Sequence, residues 1–381
     1  MSEIVIVGGG PVGAVLALVL QQQGIATTVL EVRAKGASHA DKRALALSYG
    51  SRQIFEKLGV WNEIAPHATA INTIHISQRG GLGRSKLNAA DHNLPALGYV
   101  VAYGVLTKVL DAKLESANIL YQAIALKANI HGGHGEVVFA QNSQENTLSS
   151  PLLIIADGGN SLEIAGITRE TKEYGHNALV SKVTSELPHN NIAYERFTPQ
   201  GPMALLPNGE RDFSLVWTGE KDAVDALLAL DEATFLSQLH EAFGDRVGKF
   251  MRVEKRMSFP LKLSTLKPAT VPHLAVIGNA AQTMHPVAGQ GFNVGLRDAM
   301  TLADLIVGSS AEKLGTEEML KKYSENRQRD TKGGILFTDF LVNIFSNDLL
   351  GVSALRGAGL GFLDIVKPAK SFLVGKMSFG K

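Results

Sequence analysis

The stretch from Leu274 to Asp298, LAVIGNAAQTMHPVAGQGFNVGLRD, gathers residues suited to holding an anion. A short apolar run, Leu274 to Ile277, leads into a glycine-rich loop, and the pattern predicts a helix starting near Phe292. Gly289, Gly291 and Gly295 carry no side chain to block a close approach, so backbone N–H groups can face a ligand. The helix that follows aims its positive end at the same spot. A phosphate suits such a cradle, and so does a flavin ring that turns anionic on reduction. Taken alone, the stretch fits a loop without a ligand equally well.

The amino terminus carries the second group of chemical residues. Ile4 to Val7 is an apolar strand running into Gly8-Gly9-Gly10-Pro11-Val12-Gly13, and a helical segment from Ala14 to Gln23 stops at Gly24. A second strand, Thr27 to Leu30, ends in Glu31. This is a complete strand–GxGxxG–helix–strand–acid unit. Gly8 permits the tight turn, Gly10 lets backbone approach a pyrophosphate, Gly13 lets helix pack on strand, and Glu31 is placed to accept from a ribose hydroxyl. An acid there also argues against a ribose 2′-phosphate. Arg43 has two readings, a solvated loop charge or a planar fork on phosphate. Asp157, in Asp157-Gly158-Gly159, ends a buried strand (Leu152 to Ala156) and by itself reads as turn chemistry. His131 and His134 read as a glycine turn rather than a metal site, since no third ligand lies nearby.

The elements between these motifs predict an α/β protein of two lobes. Residues 1–70, 98–177 and 274–334 form a discontinuous Rossmann-like domain. Residues 71–97 and 178–273 read as an inserted, mainly antiparallel sheet: strands at Ala178 to Thr184, Ala193 to Phe197, Met203 to Leu206 and Phe213 to Trp217 follow one another with short turns. Leu126 to Ile130 and Val137 to Phe139 read as a hairpin, and Glu317 to Arg329 as a charged, exposed helix. Residues 335–381 form a carboxy-terminal helical segment. Within it Leu336, Phe337, Phe340, Leu341, Ile344 and Phe345 share one helical face. From Gly351 on, Arg356, Lys367, Lys370, Lys376 and Lys381 stand against the single acid Asp364 among apolar residues. That profile suits a segment lying on an anionic bilayer, and also a helix docked on its own protein.

Composition narrows the function classes. At 381 residues the chain is long enough for two packed units, and 45% apolar with 19% charged residues is ordinary for a globular enzyme. A net charge of +1, with no basic block interleaved with aromatics, points away from nucleic acid. The absence of cysteine excludes disulfides, thiol nucleophiles and cysteine-ligated metal centres, and fits a reducing cytosol. The amino terminus does not read as a signal peptide, and no apolar run reaches the roughly 18 residues of a membrane span. Gly80-Gly81-Leu82-Gly83 and Gly357-Ala358-Gly359-Leu360-Gly361 do not sit between strand and helix, so the sequence offers one dinucleotide site and a transient or external reductant.

The amino-terminal GGGPVG with Glu31, the Ala156-Asp157-Gly158 segment, and the closing GNAAQTMHPVAGQGFN together resemble the group A flavoprotein monooxygenases, the aromatic hydroxylases sharing the p-hydroxybenzoate hydroxylase fold. More narrowly, RALALS, YERFTPQGPMALLP, FSLVW and FTDFLVNIFSND resemble the ubiquinone-biosynthesis hydroxylases of the 2-octaprenyl-6-methoxyphenol hydroxylase type. The resemblance implies FAD as cofactor and NAD(P)H as transient reductant. It places Gly8, Gly10, Gly13 and Glu31 on the ADP half, and Arg43 near flavin and pyrophosphate. Asp157 falls in the motif shared by FAD and NAD(P)H, and Asn279 on the ribityl chain where most relatives carry Asp. Pro286, Gly289, Gly291, Phe292 and Asn293 would line the isoalloxazine. Pro286, Gly289 and Gly291 are the flavin-adjacent candidates, with no protein acid or base assigned. Two departures stand out. Ala102-Tyr103-Gly104 replaces a run where relatives carry an arginine, and His176 stands where glutamine is common.

The implied reaction is hydroxylation of a polyprenylated phenol by O2 in ubiquinone biosynthesis, through a flavin C4a-hydroperoxide. The setting would be cytoplasmic, peripheral on the cytoplasmic face of the inner membrane through 335–381, among other quinone-biosynthesis proteins. The alternatives are a hydroxylase of another ring position or of a small soluble aromatic, and a flavin-bound scaffold subunit without turnover.

Overall fold

The computed structural model describes residues 4–79, 84–114, 118–159, 167–198, 200–283, 290–328 and 366–380. Pro286, Gly289, the apolar face from Leu336 to Phe345, and both glycine runs at 80–83 and 357–361 lie outside them.

A six-stranded sheet organises the first lobe, in the order Thr270–Val271, Leu274–Val276, Leu153–Ile155, Ile4–Val7, Thr27–Glu31, Asn118–Tyr121. All pairs are parallel except the edge pair formed by Thr270–Val271. Every residue of Ile4–Val7 is buried because both faces are covered, which is why this strand reads as a continuous apolar run. Alternation survives in where the side chains go. Ile4 and Ile6 enter a core with the helices Pro11–Gln22, Tyr103–Lys113 and Gln290–Val307, while Val5 and Val7 pack against Val137 and Phe139. The latter two belong to a three-stranded antiparallel layer, Ile124–His131, His134–Gln141 and Gln144–Ser150. The expected hairpin is present there, with His131 opposite His134, and gains a third strand.

The second lobe is a nine-stranded, almost entirely antiparallel sheet. One of its strands, Thr168–Ser185, runs unbroken across residue 177, where sequence placed the domain boundary. Helices Lys221–Ala229 and Glu232–Phe243 bury one face with Leu179, Tyr194, Met203, Phe213 and Trp217. The opposite face looks toward the first lobe. A small sheet of Ala44–Ser48, Gly98–Ala102 and Thr69–Ile71 lies between the two.

Two expectations about helices change. Residues 317–328 are helical, but their inner face is closed: Met319, Leu320 and Tyr323 are buried, and Arg327 pairs with buried Asp298 at 3.3 Å. Charges on the outer face masked that apolar spacing. In the carboxy-terminal segment, helix Lys367–Phe379 docks on its own protein through Leu373 and Val374, which join Leu87, Ala89 and Leu97. Gly50 permits this approach, since a Cβ there would lie 2.8 Å from the Ser378 carbonyl. Phe372 points the other way and is 68% exposed.

Candidate active site

The dinucleotide turn is fixed by sterics. Gly8 has φ +108°, and a Cβ on it would fall 2.5 Å from the Ala156 carbonyl oxygen. At Gly13 a Cβ would stand 2.0 Å from the Gly8 carbonyl oxygen, so any other residue would push helix from strand. Pro11 opens the helix, where a missing N–H costs nothing. Glu31 closes the unit at the end of the second strand, accepting from the Gly9 N–H at 2.8 Å.

Arg33 is one of two residues that sequence reasoning missed. Its Nε donates to Glu31 Oε1 at 2.6 Å and its Nη2 to Oε2 at 3.1 Å, while its Nη1 reaches Ser38 and the Tyr103 hydroxyl. Burial pushes the Glu31 carboxyl up, but the hydrogen bonds from Arg33 and Gly9 outweigh it and leave it below the usual range. Both Glu31 oxygens are therefore already engaged, and Arg33 brings a cation to the cradle. An arginine two residues beyond the strand-end acid was the signal available. Arg43 lies on the same feature from the other side. Its guanidinium pairs with Asp41 at 2.6 Å and stacks 4.9 Å from the Tyr103 ring centroid, with Arg33 5.9 Å from that ring. Tyr103, in the run Ala102-Tyr103-Gly104, thus gathers two arginines beside Gly10. A Cβ on Gly10 would meet the Tyr103 hydroxyl at 3.4 Å.

Asp157 accepts from the Gly159 N–H at 2.9 Å and shapes the loop above the sheet's carboxyl end. That loop meets the Gly278–Ala280 turn, since a Cβ on Gly159 would lie 3.3 Å from the Asn279 carbonyl oxygen. Asn279 is exposed, and its Oδ1 is 3.5 Å from where a Gly291 Cβ would be. Gly291, Phe292 and Asn293 occupy the first turn of Gln290–Val307, whose N–H groups lack intrahelical acceptors by geometry. The Asn293 side chain is committed elsewhere. Its Oδ1 accepts from the Ser48 N–H at 2.8 Å and the Ser51 hydroxyl at 2.7 Å, and its Nδ2 donates to the Ala46 carbonyl at 2.9 Å. His176 hydrogen-bonds the Tyr174 carbonyl and takes no part in the site.

In front of Asn279 and Gly291 opens a cavity of about 370 Å³ between the lobes. Leu47, Ile71, Ala193, Leu206 and Val216 line it, and Val374, Met377 and Ser378 of the terminal helix close one side. Glu195 is the only ionisable side chain among its described lining residues. Burial alone pushes this carboxyl up to about 8. Sequence reasoning gave Glu195 no role, although period-2 reading of Ala193, Glu195 and Phe197 would have set one acid on an otherwise apolar strand face.

The glycine-bare turn, the acid–arginine pair and the helix end facing a cavity fit the two halves of FAD. A family model described as an FAD binding domain matches residues 1–334. The chain belongs to this family and is an FAD-dependent oxidoreductase of the group A monooxygenase class. Ubiquinone hydroxylase UbiL of Rhodospirillum rubrum is 34% identical over 384 residues, spanning 97% of this chain and 88% of that one. The 3-demethoxyubiquinol 3-hydroxylase of Escherichia coli is 31% identical over 369 residues, 94% of each. The crystal structure of p-nitrophenol 4-monooxygenase PnpA from Pseudomonas putida superposes with a TM-score of 0.80 at 16% identity, covering 99% of both chains, which shows a shared fold.

Proposed function

We propose that the protein hydroxylates the aromatic ring of a polyprenylated phenol in ubiquinone biosynthesis, with O2 as co-substrate and NAD(P)H as reductant. The observation carrying this reading is the apolar cavity set against the Asn279–Gly291 junction, in a chain 34% identical to a ubiquinone hydroxylase and 31% identical to a 3-demethoxyubiquinol 3-hydroxylase. FAD supplies the oxygen-activating chemistry when bound. Gly8, Gly10, Gly13, Glu31 and Arg33 would hold its ADP half, with Arg43 at the pyrophosphate side. Asp157 and Asn279 would meet the ribityl region, and Pro286, Gly289, Gly291, Phe292 and Asn293 would offer backbone to the ring. The chain's own work is to keep that junction dry and to aim a substrate ring at it.

The lining favours a neutral, greasy substrate. No arginine or lysine occurs among its described residues, and a free carboxylate would need one. A long prenyl chain exceeds a cavity of this volume, which is of small-ligand size. The terminal helix borders the cavity through Val374, Met377 and Ser378, and its exposed Phe372 and flanking lysines suit contact with an anionic bilayer.

The purified protein should carry FAD, and its gene should restore quinone synthesis in a strain lacking one ring hydroxylase. Mass spectrometry of the accumulated precursor then reports ring position and substrate together. A colourless protein that takes up no FAD, or failure to complement any ring-hydroxylase deletion, overturns the reading.

A further inference from the structure

Ladder pairing puts Glu195 in the middle of an apolar row. Val180 stands opposite Val216, Val216 opposite Ala204, Ala204 opposite Glu195, and Glu195 opposite Ile76 on the next strand. Four of these five, all but Ile76, line the cavity, so the row is the wall that a ring would lie against. Small residues flank the acid, with Ala193 two positions before it and Ala204 across the ladder, leaving its carboxyl open to whatever fills the space.

Nothing structural accounts for an acid at this point. Among the described residues Glu195 makes no side-chain hydrogen bond and no ion pair, whereas Arg196 beside it is tied to Ala242 and Ser77. Glu195 is half-buried, and a carboxyl taken even partly out of water without a partner is costly, whereas an apolar residue would pack the same wall at no such cost. The elements facing it present Ala44 to Ser48, Gln290 to Asn293, and Val374, Met377 and Ser378, none of them ionisable. The occupant of the cavity is the group placed to supply the partner this carboxyl lacks.

We propose that Glu195 accepts a hydrogen bond from the substrate's phenolic hydroxyl, and so orients the ring and selects free phenols over their ethers. The inference rests on the cavity being the substrate site of the hydroxylase reading. The bond is charge-assisted: capping the hydroxyl removes its donor, an apolar residue at 195 removes its acceptor, and a neutral amide there keeps an acceptor but loses the charge. It draws electron density toward the ring, which favours attack on an electrophilic oxygen. No atom changes oxidation state at Glu195, and the phenolic proton stays shared between the two oxygens.

The test uses the FAD-loaded full chain with two probes, 2-geranylphenol and its O-methyl ether, titrated against the flavin absorption spectrum. Wild type should bind the phenol at least tenfold more tightly than the ether. Glu195→Leu, with unchanged FAD content, should lose most of that preference, and Glu195→Gln only the part that the charge supplies. Phenol binding by wild type should strengthen as pH rises toward about 8, where the carboxylate form fills, and Glu195→Gln should show no such limb. Equal affinity of wild type for both probes overturns the role of Glu195 while leaving the cavity as the substrate site. No spectral response of wild type to either probe removes the cavity reading as well. Should the variant lose FAD, the wild-type preference and its pH limb still decide the matter.

Discussion

Asn293 offers the sharpest test of how the site is assembled, because one side chain ties the cavity helix to the strand and helix beneath it. Replacing it with Ala deletes three hydrogen bonds, to the Ser48 N–H, the Ser51 hydroxyl and the Ala46 carbonyl. The Ser51 hydroxyl can turn to Ser48 Oγ, 3.2 Å away, but the Ser48 N–H loses its acceptor where Ser48 is only 7% exposed. Two net losses near 1 kcal/mol, plus the cost of one desolvated donor, put the destabilisation at about 3 kcal/mol. Ser51→Ala is the internal control. It removes the bonds of the Ser51 hydroxyl to Asn293 Oδ1 and from Ser48 Oγ, leaves the Asn293–Ser48 N–H bond in place and strands no buried backbone donor, and should cost less, about 1–2 kcal/mol. Urea unfolding followed by tryptophan fluorescence suits the measurement, since Trp61 sits in the first-lobe core and Trp217 in the second. A Trp217→Phe background isolates the lobe that holds Asn293. If Asn293→Ala proves no more costly than Ser51→Ala in that background, the side chain is not the tie the geometry makes it.

Asp298→Ala should destabilise the protein by about 3–5 kcal/mol, because it strands Arg327 in a site where the pair's side chains are 3% and 10% exposed. Replacing Arg327 with Leu in the same chain should recover a large part of the loss, and a double variant as unstable as the single one would contradict the ion-pair account. Phe372→Glu should abolish co-sedimentation with anionic vesicles while leaving FAD content unchanged. Undiminished sedimentation would discard the terminal helix as the membrane contact.

How much was readable beforehand follows from the range of the interactions concerned. Gly8, Gly13 and Glu31 could be assigned their places because the turn's sterics and the strand-end acid lie within one short βαβ unit. Arg33 was overlooked although it is equally local, since an arginine at a strand end is usually solvated and only Ser38 and Tyr103 show that this one is held. The helix at 317–328 was misjudged for a related reason: its charged outer face was visible, while the buried role of Arg327 needed Asp298, 29 residues away, to be seen. The side chain of Asn293 had no role assigned from sequence, because its partners Ser48 and Ala46 lie 245 and 247 residues earlier in the chain.

The sequence by itself determined the dinucleotide unit and the α/β class, which short-range sterics and hydrophobic period set without regard to what a segment later packs against, while FAD as the cofactor followed from the family resemblance. Only the tertiary structure decided which wall of the second lobe faces the cofactor end of the first, that the terminal helix closes the space between them, and that Glu195 looks into it. Strand register makes that choice: a one-residue slip would turn the acid to the opposite face, and the pairings that prevent the slip join strands far apart in the chain.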